Sequence, residues 1–410
     1  MEVVIKRAAG LDVHKATVVA AVHTPDGQET RTFGTMTRDL DALAAWLTEQ
    51  GVTQVGMEAT GVWWMPIYNV LEEHSFDLLL ANPQHMKAVP GRKTDVKDAE
   101  WICDLVRHGL VQPSFVPSKE QRERRELVRY RKTLVRERAD AVNRIQKTLE
   151  GANIKLGMVA TDILGASGRQ ILTALIEGRG DPATLAGLAK GRLRAKQEDL
   201  TQALTGRISA HQRFLLREQL AHIEELEARI ARLSQELDQR LRPFEREQAA
   251  LTLLDAIPGV GRIVAETVIA EIGVEMDHFP SAAHLASWAG LCPGNNQSGG
   301  KRRSGRTRQG DPWLRETLVE AARAAARTKG SYLGAQYRRI AARRGGKRAA
   351  LAVAHTMLVI IYHMLRDGTV YQDLGDTYFD HRDKAAIARR AKKRLEALGF
   401  TVTIQEPTAA

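Results

Sequence analysis

Ser298 stands in the stretch Gly-Leu-Cys-Pro-Gly-Asn-Asn-Gln-Ser-Gly-Gly-Lys-Arg-Arg-Ser-Gly-Arg-Thr-Arg-Gln-Gly-Asp that runs from Gly290 to Asp311. Glycines at 294, 299 and 300 permit positive φ and close backbone approach, and Lys301, Arg302, Arg303, Arg306 and Arg308 follow directly. A serine presented outward, with backbone N–H groups and guanidinium forks facing an anion, is what attack on a phosphodiester requires. A turn serine beside a basic loop fits the same residues. The stretch is not a nucleotide-binding P-loop, because counting from Gly294 puts Gly300 where that motif needs its lysine.

Acidic residues supply the second chemistry. Asp12 lies inside an apolar run, Glu58 closes another, and Asp95 and Asp98 are three apart, which puts both on one helix face. A carboxylate within an apolar strand is costly to bury unless it is paired or bound to a metal. Four of them converging repel one another, and hard Mg²⁺, which prefers oxygen ligands, relieves that repulsion. Two such ions could hold the attacking and leaving oxygens of a phosphoryl transfer. Each acid taken singly fits a surface salt bridge; Asp12 and Glu58 together, at strand ends, favour the metal.

The elements that must position these acids read in order along the first third. Ala8 to Val22 predicts two short strands joined tightly, and Glu29 to Met36 a third strand after the Pro-Asp-Gly turn at 25 to 27. A helix Leu40 to Glu49, a strand Val55 to Glu58, a further helix, a strand Asp77 to Ala81 and a helix from about Thr94 to His108 complete it. Three meandering strands followed by alternating helix and strand is the order of a ribonuclease-H-like α/β domain.

Beyond it the pattern turns helical. Lys119 to Glu150 carries eleven basic side chains and an apolar seam at Val128, Val135, Val142 and Leu149, flanked by Leu127 and Leu134. A second seam runs through Leu216, Ile223, Leu226, Ile230, Leu233 and Leu237, ending before Pro243. These long coiled-coil helices can pair as an antiparallel hairpin within one chain or as a contact between chains. Between them, 151–206 reads as a helical insertion with a basic run at Lys190 to Lys196 and no assigned chemistry. Leu251 to Gly273 predicts a helix-hairpin-helix, in which Gly259 and Gly261 let hairpin N–H groups approach a phosphate; a tight turn in a helical core fits as well. An alanine-rich helix Trp313 to Arg327, a basic-ended helix Tyr332 to Arg344 and an apolar helix Ala349 to Leu365 follow, with His355 and His363 read as core histidines. A basic tail begins at Asp380.

Composition sets the bounds. The 410 residues leave room for two or three domains, and 60 Lys and Arg against 49 Asp and Glu, net +11, suggest a polyanionic partner. Two cysteines are too few for a disulfide framework or a structural zinc site. Met1 to Leu11 lacks a signal-peptide core, and the run Ala349 to Leu365 is short for a membrane span, so the expectation is a soluble, cytoplasmic protein with no membrane partner. The expected division is 1–117 for the α/β domain, 118–247 for the coiled coil with its insertion, 248–378 for a mostly α-helical domain holding the serine loop, and 379–410 for the tail.

Gly10-Leu-Asp-Val-His-Lys15, Met57-Glu-Ala-Thr-Gly61 and Lys93-Thr-Asp-Val-Lys-Asp-Ala99, then Ala289-Gly-Leu-Cys-Pro293 and Gln297-Ser-Gly299, occur in that order over nearly the whole chain. They resemble the DEDD transposases of the "one-ten" class of bacterial insertion sequences, in their longer subgroup. The resemblance implies that Asp12, Glu58, Asp95 and Asp98 are the metal quartet of the RuvC-like domain. It implies that Ser298 is the nucleophile of a separate transposase domain, and that a structured bridge RNA directs the recombination of donor and target DNA at the bacterial nucleoid. On that expectation the active site is assembled from two domains: Ser298 forms a phosphoserine link, and the acids hold two Mg²⁺ ions. Strand exchange between two duplexes needs four cuts, so a dimer or tetramer is expected. The alternative is a metal-dependent, structure-specific nuclease of the Holliday-junction type, in which the acids activate water and Ser298 is idle. A non-enzymatic nucleic-acid scaffold fits less well, since all four acids are present.

Overall fold

Alternation along the first strand decides how residues 1–119 are layered. In β1 (Ala8–Val13) the side chains of Ala9, Leu11 and Val13 enter the larger core on one face, while Ala8 joins a smaller core on the other. Gly10 and Asp12 share the face of Ala8 by the same two-residue period. The computed structural model describes residues 2–59, 61–81, 98–294, 296–299, 301–305, 307, 309–382 and 384–404, with backbone alone at 296–298 and 301–304. The chain divides into two compact units, 1–119 and 120–410.

In the first unit β2 (Thr17–Thr24) and β3 (Gly27–Gly34) pair antiparallel in a meander with β1, and β4 (Gln54–Glu58) and β5 (Asp77–Ala81) add parallel, giving the order β3-β2-β1-β4-β5. This mixed five-stranded sheet is compatible with the expected ribonuclease-H-like domain. The third strand starts and ends two residues earlier than its composition predicts, because Thr24 pairs with Gly27 across a two-residue turn. Helix α1 (Thr37–Glu49) and α2 (Trp64–Leu71) pack through Leu40, Leu43, Leu47, Ile67 and Leu71 on the face of Leu11 and Met57.

The opposite face is covered by α3 (Asp98–Arg107), and two glycines let it lie flush. A Cβ on Gly10 would stand 2.2 Å from the Cys103 amide nitrogen and 2.3 Å from the Ala99 carbonyl oxygen, and one on Gly56 would stand 2.4 Å from Val106. At Gly10 the opposing atoms are backbone and have nowhere to go. Gly10→Ala is therefore expected to cost about 1–3 kcal/mol by forcing helix and sheet apart. Urea unfolding measures this, and an unshifted midpoint would mean that α3 is not seated as described. Burial in the same layer pushes the Cys103 thiol up to about 12, so it is a packing residue rather than a reactive one.

The second unit begins on two long helices, α4 (Lys119–Gly151) and, after the insertion, α9 (Ala210–Leu241). They run antiparallel within the chain: Glu123 meets Arg240, Arg131 meets Ser234 at 3.3 Å, Arg138 meets Glu227 at 2.7 Å and Thr148 meets Gln219 at 3.2 Å. The intrachain hairpin is thus the pairing adopted. Val135 departs from the expected seam and is 48% exposed, while Leu134, Ala141 and Ile145 are buried instead. A straight helix advances 3.6 residues per turn, so a strict seven-residue seam drifts off the contact line unless both helices supercoil.

The insertion supplies α5 (Leu156–Val159), α6 (Ala166–Glu177), α7 (Pro182–Gly187) and α8 (Gln197–Leu204), whose Leu156, Ile171, Leu172, Leu185 and Leu200 share one core with Ile145, Leu149, Leu216 and Ile223. That core explains why the long helices close on each other here: their distal ends are sealed by the chain between them. Next come α10 (Glu245–Asp255), α11 (Arg262–Ile272) and α12 (Ala282–Trp288), the serine hairpin, then α13 (Pro312–Ala325), α14 (Tyr332–Arg344) and α15 (Gly346–Asp367). By length and composition α15 is apolar enough to cross a membrane, contrary to the reading of that run as too short. Its apolar residues have a folded use, since Val353, Ala354, Met357, Leu358 and Ile361 are fully buried in the unit. His355 is half-buried there, with its pKa lowered by burial, but His363 is exposed and lies 3.4 Å from Asp367, so it is not the core histidine expected. The chain ends in α16 (Tyr378–Arg382) and α17 (Lys384–Glu396).

Candidate active site

Parallel pairing of β1 with β4 matches Leu11 to Met57, so the next register step sets Asp12 beside Glu58 at the C-terminal ends of neighbouring strands. Both fall on the face that α3 covers, because Gly10 and Gly56, two residues before them, are the positions that seat that helix. The helix runs antiparallel to β1: Arg107 accepts from Val4 and Ile5, Cys103 donates to Ala8, and Ala99 lies over Gly10. Asp98, the first described residue of that helix, is thereby carried to the end of the strand where Asp12 stands. One carboxylate oxygen of Asp98 is sealed from solvent. Asp12 is mostly buried and sits 3.1 Å from the ring Nε2 of His14, a neighbour the sequence did not single out.

Three of the four predicted acids therefore come to one end of one sheet layer, and Asp95 lies outside the described residues. Among the described residues no three His, Cys, Asp or Glu side chains stand close enough to form a finished metal cage. The donor set is nonetheless all carboxylate oxygen at a sheet's C-terminal edge, and it fits a hard divalent cation better than a soft one.

Ser298 is the last residue of β6 (Asn296–Ser298) and pairs with Lys301, the first of β7 (Lys301–Ser304). Gly299, with φ 58°, opens the turn between them, a left-handed conformation that favours glycine. Below this tip Pro293 bridges to Thr307, and at the base the Asp311 amide donates to the Trp288 carbonyl at 3.2 Å. A Cβ on Gly310 would meet the Gly290 nitrogen at 2.2 Å, so the two ends of the stretch touch. Arg306 and Arg308 lie outside the described residues, as do the side chains of Ser298, Lys301, Arg302 and Arg303.

The base of this hairpin is held by charges that hydropathy did not reveal. Arg129 of α4 forks onto Glu271 of α11, Nε to Oε1 at 2.8 Å and Nη2 to Oε2 at 2.7 Å, and also donates to Asp311 Oδ2 at 2.9 Å. Asp311 in turn caps α13 by accepting from the Leu314 amide at 2.8 Å. Glu271 is fully buried; burial raises its pKa, and the hydrogen bonds from Arg129 pull the other way. Burial also opposes the charge on Arg129, but Glu271 and Asp311 more than offset it and leave the guanidinium above its ordinary range. Arg125 donates to the Ala270 carbonyl at 3.2 Å and to the Glu271 carbonyl, capping the end of α11, and burial lowers it to about 10. Guanidinium groups also lie over both flanking indoles, Arg125 over Trp288 at 5.7 Å and Arg136 over Trp313 at 5.2 Å.

The predicted helix-hairpin-helix glycines separate into two uses. Gly259, φ 85°, is packed against α13, where a Cβ would stand 2.4 Å from the Ala321 carbonyl oxygen. Gly261 has open space around it at the N-terminus of α11.

Comparison with known proteins bears on the same residues. Residues 9–154 match the family model of IS110 DEDD transposases, described as "Transposase", and residues 251–338 match "Transposase IS116/IS110/IS902 family". Asp12, Glu58 and Asp98 fall in the first range and Ser298 in the second. The chain is 30% identical over 325 residues to a "Probable family 20 transposase" of Pseudomonas aeruginosa, covering 78% of this chain and 85% of that one. It is 26% identical over 300 residues to the "Transposase for insertion sequence element IS1111A" of Coxiella burnetii, covering 72% of each. With its acids at the strand ends and its serine on a closed hairpin, the chain belongs to the IS110 family of DEDD transposases, insertion-sequence enzymes that act on DNA.

Proposed function

We propose that this transposase is a serine recombinase, guided by a structured RNA, that cuts and exchanges DNA strands through a phosphoserine intermediate. The observation that carries the reading is the placement of Asp12 and Glu58 on adjacent strand ends, on the face covered by the helix that carries Asp98. In this reading 1–117 is the RuvC-like domain and 248–378 the transposase domain. Asp12, Glu58, Asp95 and Asp98 would hold Mg²⁺, which supplies charge stabilisation for the leaving oxygen and lowers the cost of ionising a hydroxyl.

The chain's own part is nucleophile and anchorage. The Ser298 oxygen forms a bond to phosphorus as the bond from phosphorus to the 3′ oxygen breaks; the serine loses its proton, and the 3′ oxygen leaves as a hydroxyl. The phosphodiester energy stays in the phosphoserine bond, so rejoining to a new 3′ hydroxyl needs no ATP. Lys301, Arg302, Arg303, Arg306 and Arg308 anchor the flanking phosphates. Gly261 offers a further open backbone position, whereas Gly259 supports the fold. A tetramer supplies one serine for each of four cuts, and a dimer supplies two serines that each act twice in turn.

The test uses end-labelled DNA bearing the element's junction. With Mg²⁺ the wild-type protein and guide RNA should give a protein–DNA adduct that survives denaturation. Asp12→Asn should lose both the adduct and any Mg²⁺-induced rise in melting temperature, a loss of roughly 10³-fold or more in rate if metal charge stabilisation is removed. Cutting without an adduct would instead favour the hydrolytic nuclease.

A further inference from the structure

From Ala321 to Arg366 the chain carries ten Lys and Arg and no Asp or Glu. The segment contains α14, and Arg338, Arg343, Arg344, Lys347 and Arg348 at its end are all exposed. Elsewhere in the second unit arginines are met by acids, as Arg240 by Glu236 and Arg262 by Asp238. Among the described residues none of Arg338, Arg343, Arg344 and Arg348 has a carboxylate within salt-bridge distance. Like charges gathered with no carboxylate in ion-pairing reach destabilise a compact surface, so the arrangement points to an anion supplied from outside.

The shape agrees. A groove of about 600 Å³ lies between α14 and the C-terminal helices, lined by Arg338, Arg339 and Arg343 on one side and Arg390 on the other, with Asp376 and Asp380 among its walls. Helix α17 adds Arg389, Lys393 and Arg394, all exposed. The aromatic ring in the groove, Phe379, is already engaged: Tyr332 stacks on it at 5.1 Å and the Arg339 guanidinium stands 5.3 Å from its centre. That leaves no free ring on which an unpaired base could stack, so the groove offers guanidinium contacts to a backbone rather than a platform for a single strand.

We infer that the groove between Tyr332–Arg344 and Lys384–Glu396, whose lining includes no residue of the serine hairpin, is a second DNA-binding surface, which seats the phosphate backbone of duplex DNA. This rests on DNA as the enzyme's substrate and not on the serine chemistry.

The experiment measures binding of full-length protein to a DNA duplex across a salt titration. Each phosphate contact contributes about 0.9 to the slope of log K against log salt, so Arg338→Ala/Arg343→Ala/Arg390→Ala should flatten it by about 2–3 and weaken binding roughly tenfold or more near 0.15 M salt. The control Arg229→Ala/Arg240→Ala/Arg242→Ala removes the same formal charge from side chains that already pair with Glu225, Glu236 and Asp238, and should leave the slope nearly unchanged. Arg390→Glu alone should act in the same direction as the triple variant if that variant melts early. At saturating DNA the rate of cleavage should stay within about twofold of wild type, which separates a failure here from a failure of the serine reading. An unchanged slope in both variants, an equal fall in the control, or loss of RNA-duplex binding with DNA binding intact would each overturn the assignment.

Discussion

Ser298→Ala is expected to abolish the covalent protein–DNA adduct while leaving DNA affinity within about twofold of wild type. Removing an essential nucleophile costs on the order of 10⁴-fold or more in rate, equivalent to about 5 kcal/mol of lost transition-state stabilisation. Binding has no such dependence, because one hydroxyl contributes little beside the phosphate contacts of the lysines and arginines. Ser304 is the internal control: it lies at the far end of β7, paired with Asn296, rather than at the hairpin tip. Ser304→Ala should therefore form adduct at close to the wild-type rate. Denaturing electrophoresis after reaction with end-labelled DNA reads both variants. Adduct that persists in Ser298→Ala and disappears in Ser304→Ala would transfer the role to Ser304. Cleavage at the wild-type rate in Ser298→Ala with no adduct in any variant would make the attacking group a water and the enzyme a nuclease.

What could be read before the fold was known follows from how local each signal is. The placement of Asp12 and Glu58 was legible because strand alternation is a two-residue code, and a lone acid in an apolar run breaks it visibly. Gly10 and Gly56 were not legible as the seat of α3, since a glycine inside a strand looks like a weak point until the element that covers it is known. The choice between intrachain and interchain pairing of the long helices was undecidable from their seams alone. It depends on the core of Leu156, Ile171, Leu185 and Leu200, which is assembled from short helices of weak periodicity. The Arg129, Glu271 and Asp311 network was hidden for another reason: its members lie 142 and 182 residues apart, and hydropathy scores buried charges as surface. A trace existed even so. Arg124 and Arg131 occupy inward positions of α4 at 7% and 3% exposure, and a charge recurring on an apolar seam implies partners from elsewhere, here Glu247 and Glu266.

That network separates two ways of damaging the enzyme. Arg129→Ala leaves Glu271 fully buried with only Arg125 beside it, 3.3 Å away, and removing one partner of a buried pair costs about 3–5 kcal/mol. The second unit should melt earlier, and activity should fall with the folded fraction. Asp311→Asn is the sharper change. Asparagine caps a helix as well as aspartate does, so the contact to the Leu314 amide and the backbone bond to Trp288 survive. Arg129 keeps both bonds to Glu271, and what is lost is the charged tie between α4 and the base of the serine hairpin. Stability should therefore drop by about 1–2 kcal/mol at most, the scale of one charge-assisted hydrogen bond at a partly open site. Yet a hairpin tip is displaced by small rotations at its base, and a misplacement near 1 Å can cost about 10²-fold in rate. The expected signature is a fall of about ten- to a hundredfold in adduct formation at saturating DNA with unchanged affinity. It should be accompanied by faster hydrogen exchange at the hairpin-stem amides around Pro293 and Thr307, with α13 and α15 still protected. Exchange is read without turnover, so it tests the tether even if Ser298 is not the nucleophile. Wild-type exchange together with wild-type rate in Asp311→Asn would place the anchoring of the hairpin in the Gly290 and Gly310 backbone contact alone.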